Sequence, residues 1–300
     1  MRFYLEYIIS CFLIGLVFSL IFEFNLQSII GVCLILSIGL IHGANDIAII
    51  RKLKNKKSKD SNPTRSILIY SGIVFSTLVL FIVLPQLALW LFILISAYHF
   101  GEQHWSVTLK MLNNKLKIVF YTTYGLSILF LLLFLNVSFA KEIIHQITPN
   151  AYFDQYLTEI TKISFILLLA GFASLILYKK EFAQRIPLEL LQIASLFLIF
   201  KWGNLIFGFA FYFVLWHSLF SIKDQLKFLY GKITGKNLMH YFKQSAIYWL
   251  ISLVGLGVLV YLLNDKDYFY SLLFAFIAAV TFPHVFVINK MMKKLNKKKY

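Results

Sequence analysis

Apolar runs of bilayer-crossing length recur along the whole chain, near residues 4–24, 27–50, 66–84, 86–105, 117–136, 163–178, 188–201, 203–221, 244–264 and 268–289. A spanning helix needs about 20 predominantly apolar residues. Within lipid every backbone N–H and C=O must find its partner inside the protein, so only helices and closed barrels cross. Barrel strands read as alternating segments of about 10 residues, and these continuous runs do not. The expected fold is therefore all-α: a polytopic integral membrane protein with about ten transmembrane helices. Composition agrees, with 60% hydrophobic and 14% charged residues and a mean hydropathy of +0.77. No loop is long enough to bury a core of its own. Residues 1–300 thus read as a single membrane-embedded domain, a helical bundle over 1–289 followed by a basic tail, 290–300. The first run has neither a basic leader nor a small-residue cleavage site, and reads as a retained helix. Cys11 and Cys33 fall inside runs and show no metal-thiolate spacing.

Charge tests that count. Of the 29 Lys and Arg residues, 24 lie in five segments: 51–65, 110–117, 179–185, 223–243 and 290–299. These follow the second, fourth, sixth, eighth and tenth runs. Arg2, Lys141, Lys162, Lys201 and Lys266 are scattered over the opposite side. Positive residues mark the cytoplasmic side, so the N-terminus is expected outside and the C-terminus in the cytoplasm. The chain is expected as a multi-pass protein of the cell inner (cytoplasmic) membrane. Its net charge of +16 then reflects topology and attraction to anionic headgroups, with no nucleic-acid partner.

The chain has seven histidines. His145 falls in an outer loop and His240 in an inner loop, where solvated residues are ordinary. The other five, His42, His99, His104, His217 and His284, all lie in even-numbered runs. Each precedes its basic segment by six to eleven residues. At about 1.5 Å of rise per residue, those offsets differ by less than about 8 Å in depth. Four helices therefore present histidine in one layer of the cytoplasmic half of the membrane. A single intramembrane histidine is most simply a packing contact. A layer across four helices points to a shared metal site, since imidazole suits Zn, Cu, Fe and Ni.

Acids accompany the layer. Asp46 follows His42 by four residues, Glu102 follows His99 by three, and Asp224 follows His217 by seven. Each spacing puts acid and histidine on one helix face. Carboxylates there can take the second ring N–H of a metal-bound histidine and so fix its orientation. The glycines of "HGAND" and "HFGEQH" leave room for close helix approach or for a ligand. Phe, Tyr and Trp make up 18% of the chain. Tyr98, Phe100, Trp105, Phe213, Trp216 and Phe282 crowd the layer. Most such residues serve packing, and they would also wall a long apolar ligand.

Histidine-only ligation suits Fe(II) with positions open to O2, or zinc with an open water position. There is no Ser-His-Asp ordering, HExxH, phosphate-binding glycine loop or desaturase-type histidine box. A metal-ion or proton transporter using intramembrane His and Asp is the alternative reading. No inverted repeat or pair of interrupted helices accompanies it. A retinal-binding receptor would need a lysine at mid-span, and no run interior has one.

Four segments carry a resemblance: "HGANDIAII" at 42–50, "YHFGEQHW" at 98–105, "FVLWHSLF" at 213–220 and "TFPHVFVI" at 281–288. In order and placement they resemble the Brp/Blh-type β-carotene 15,15'-dioxygenases of bacteria and archaea. The resemblance implies a membrane-embedded, Fe(2+)-dependent enzyme. It would cleave the central double bond of β-carotene with O2 into two all-trans-retinal molecules, which a microbial rhodopsin in the same cell would take up. It implies histidine ligands at His42, His99 and His217. The chain departs from the family's H-x-x-R-H segment, with Phe220 for the arginine and Ser221 for the second histidine. His284 is then the expected fourth ligand, chosen by depth, and His104 the second choice. Asp46 and Glu102 are expected to orient ligands, and no catalytic residue is expected beyond the metal centre.

Overall fold

The computed structural model describes residues 2–54, 63–149, 153–263 and 268–297. Parts of the basic segment 51–65 and of the tail 290–300 lie outside the described residues. All regular structure among the described residues is helical. We number the helices α1 (Arg2–Ile21), α2 (Phe24–Leu53), α3 (Pro63–Val83), α4 (Pro85–Trp105), α5 (Asn114–Leu135), α6 (Val137–Ile147), α7 (Phe153–Tyr178), α8 (Ile186–Trp202), α9 (Leu205–Tyr230), α10 (Gly235–Leu263) and α11 (Phe269–Lys297). The all-α polytopic class is as expected.

Nine helices among the described residues are long and apolar enough to cross a membrane, against about ten expected. The difference is α4, which has 21 residues but carries Gln86, His99, Glu102, Gln103 and His104. Two other expectations shift. His145 sits on the short helix α6, not in a loop, because Ala140, Ile143 and Ile144 recur at helical spacing and are buried. His240 likewise lies on a helix, since α10 begins at Gly235, before its apolar stretch. Backbone hydrogen bonding continues into the polar flank, which hydropathy alone does not register.

Contacts divide the chain into two compact units. The first comprises 1–35, 97–142 and 150–217, and the second 36–96, 143–149 and 218–300. In the first, α5 packs on α7, α1 on α8, and the start of α2 on the start of α9. The last turns of α4 meet α5 at close range. A Cβ at Gly101 would strike the backbone of Tyr121, and one at Gly125 would strike the backbone of Ala97. Two small-residue contacts one turn apart thus bring the helix backbones together, as small residues do in lipid. Asn204 begins α9. Its Oδ1 accepts from Phe207 N at 2.8 Å, and its Nδ2 donates to Phe24 O at 2.6 Å and Ser28 Oγ at 2.7 Å.

In the second unit α3 packs along α11, and α10 packs against the Leu40–Ala44 turn of α2. One core cluster joins Ile49, Phe228, Val287, Ile288, Met291 and Met292. Another joins Phe81, Ala88, Phe92 and Ala278. Pro283 lies inside α11, directly before His284.

Candidate metal centre

Two helices carry a π turn where they present histidine. In α2 it spans Ile35–Gly39, three residues before His42; in α9 it spans Phe213–Ser218 and contains His217. A π turn accommodates one extra residue and so re-aims the side chains that follow. Its carbonyls are also open to other donors. In the second unit Trp249 Nε1 donates to Leu36 O at 2.7 Å, and the His42 ring donates to Gly39 O. In the first, Tyr7 Oη donates to Leu215 O at 2.6 Å. Side chains from neighbouring helices therefore hold both π turns.

Within the second unit His42 and His284 are buried and meet edge to face, ring centroids 4.7 Å apart and planes at 86°. His284 Nδ1 lies 2.9 Å from Asp46 Oδ1 and 3.0 Å from Oδ2. A carboxylate and a carbonyl only accept, so His284 and His42 each donate from Nδ1. In a neutral ring that places the lone pair on Nε2, the tautomer a metal requires. The expected acid at Asp46 is thus beside histidine, but it serves His284 of α11 as well as lying one turn from His42. Around it, Gln225 Nε2 donates to His42 O at 2.8 Å and Tyr241 Oη to Gln225 Oε1 at 2.9 Å.

Within the first unit His99 and His217 form a second buried pair, with centroids 4.6 Å apart and planes at 72°. Phe213 stacks on His217 at 5.5 Å, and Phe100 tilts over it at 4.8 Å. Glu102 is buried and accepts from Tyr98 Oη at 2.9 Å.

Centroid separations of 4.6 and 4.7 Å are ordinary for edge-to-face rings, so ligation turns on where the ring nitrogens lie. In the second unit, a ring nitrogen of His42 and one of His284 lie within 4.8 Å of each other, so the two could serve one ion.

A family model described as beta-carotene 15,15'-dioxygenase matches residues 33–292. The chain belongs to that family. Comparison with curated proteins and with solved structures finds no match. The dioxygenase-family match takes in all four histidine segments and leaves α1 outside it, and membership supports a β-carotene dioxygenase type of function. The remaining expected site residues fall elsewhere. Asp224 is half-buried on α9. Ser221 is buried, and its hydroxyl lies 3.1 Å from Gln225 Nε2, which donates to it.

His104 belongs to a separate polar network in the first unit. Its Nε2 is 2.7 Å from Glu189 Oε2, and its ring stacks on Tyr124. Glu189 is fully buried and also accepts from Arg185 Nε at 3.0 Å. Tyr4 of α1 donates to Gln192. Glu189 and Arg185 escaped the sequence reading because their spacing suits an exposed i,i+4 pair. The available signal was a lone acid inside an apolar run, at 188–201. Tyr70, Gln225 and Tyr241 carried no signal at all, being ordinary residues outside the histidine segments.

Proposed function

We propose that this chain cleaves the central 15,15' double bond of β-carotene with O2, giving two molecules of all-trans-retinal. The C=C bond breaks and each carbon takes one oxygen atom, so both atoms of O2 are accounted for in two aldehydes. The observation that carries the reading is the family match, which spans His42, His99, His217 and His284 together. We assign these four as the ligands of one Fe(2+), in a chain working as one membrane-embedded domain. Bound ferrous iron supplies the electron chemistry that lets O2 react with a closed-shell polyene. The protein's own groups do the rest. Asp46 and the Gly39 carbonyl hold His284 and His42 with Nε2 deprotonated. Phe213 and Phe100 set the plane of His217. Glu102 stays with Tyr98 beside His99, and Asp224 is assigned an outlying orienting role. His284 takes the place left by Ser221, ahead of His104.

The substrate lives in the bilayer and enters from lipid, so a dry apolar cavity suits it. We place the protein in the inner membrane, N-terminus outside and C-terminus in the cytoplasm, on the distribution of Lys and Arg. Retinal passes to a microbial rhodopsin in this reading. The test is expression in a bacterium that accumulates β-carotene, with retinoids quantified in the extract. Retinal should rise as β-carotene falls, and His42→Ala should abolish it. Unchanged β-carotene with the protein in the membrane would overturn the proposal and favour metal-ion transport.

A further inference from the structure

Asp46 is buried, and a buried carboxylate needs donors. Among the described residues its oxygens have two. His284 Nδ1 lies almost midway between them, at 2.9 and 3.0 Å. Tyr70 Oη donates to Oδ2 at 2.8 Å. Because the imidazole N–H straddles both oxygens, it does little to resist tilting of the carboxylate. The phenol binds one oxygen only and sets that tilt.

Three helices meet in this chain of bonds: Tyr70 on α3, Asp46 on α2 and His284 on α11. Tyr70 is itself anchored. Its ring packs against the cluster of Ile49, Phe228, Val287, Ile288, Met291 and Met292. The cluster includes residues one turn from Asp46 and from His284, so both helices that carry its targets contribute to the core against which the ring packs.

We infer that Tyr70 is a positioning residue for the metal centre, acting through the Asp46 carboxylate on the ring orientation of His284. The inference rests on the metal-centre reading above. It adds a residue outside the four histidine segments, from a helix that contributes no ligand. Outer partners of metal-bound histidines typically contribute about 10- to 100-fold in metal affinity.

Full-length protein in lipid nanodiscs, titrated with Co(2+) and followed by visible absorption, tests it. Tyr70→Phe removes the hydroxyl and keeps the ring in its apolar packing, so the metal-free protein should still fold cooperatively, with a melting temperature lowered by the loss of one bond to a buried carboxylate. Cobalt affinity should fall severalfold, short of the loss of about 10- to 100-fold typical when a partner bonded directly to a ligand is removed, with shifted bands. Asp46→Asn, which leaves the Tyr70 ring untouched, should weaken binding as well. The double variant should bind no more weakly than Asp46→Asn alone, because both changes break one chain. Wild-type affinity and bands in Tyr70→Phe would overturn the inference while leaving the metal centre standing. A wild-type protein that binds no cobalt would overturn the metal centre and the inference with it.

Discussion

His42 and His284 stand edge to face with ring centroids 4.7 Å apart, although 242 positions separate them in the chain. Each ring donates from Nδ1, one to a backbone carbonyl and the other to a buried carboxylate. Two rings held in this way are matched donors. His284→Ala should therefore be as damaging to metal retention as His42→Ala, with bound iron falling at least about tenfold by elemental analysis. Iron at the wild-type level in His284→Ala would remove it from the ligand set.

Ser221 occupies the position where the resembled family has histidine, yet its hydroxyl is engaged with Gln225. Ser221→Ala removes one neutral hydrogen bond, a cost of about 1 kcal/mol. Iron content and retinal yield should stay within about twofold of wild type. A collapse of iron content would make the serine a ligand.

Glu189 holds His104 and Arg185 at once and is fully buried. Removing one partner of a buried ionic group costs about 3–5 kcal/mol. Glu189→Ala should lower the thermal midpoint in detergent by several degrees, and Glu189→Gln by less. Iron bound per folded protein should not change, nor should it in His104→Ala. Iron loss in His104→Ala would restore that residue as a ligand.

Gly101 and Gly43 lie in similar motifs but differ in their surroundings. A Cβ at Gly101 meets the Tyr121 backbone, whereas one at Gly43 meets only His284 Nδ1 at 3.7 Å, an ordinary contact. Gly101→Ala forces α4 and α5 apart and should cost about 1–3 kcal/mol or more. Gly43→Ala should fold normally. Expression level and thermal unfolding of the two variants check the contrast, and equal stability would refute the close crossing.

The charge distribution predicts a cytoplasmic C-terminus. A reporter fused after Tyr300 that is active only in the cytoplasm should be active in whole cells. Inactivity, with a periplasm-active reporter working in its place, would reverse the assigned orientation.

The all-α membrane class was legible in the sequence because it depends on run length and on the cost of unpaired backbone in lipid, both local properties. The sequence also assigns His42, His99, His217 and His284 a similar depth, an expectation that rests on constant rise per residue from a basic flank. The short α6 was less visible, since its amphipathic pattern falls below the signal of a spanning run. Which histidine faces which was not legible. A π turn adds one residue and turns everything beyond it by about 100°; one such turn ends three residues before His42 and another contains His217. Their carbonyls accept from donors on other helices, Trp249 and Tyr7 among them. The same holds for Asp46, whose neighbour along its own helix is His42 but whose carboxylate is bonded to His284 and Tyr70. Periodicity within a segment sets only which residues share a helix face. The direction that face takes is decided by the packing of helices far apart in the chain.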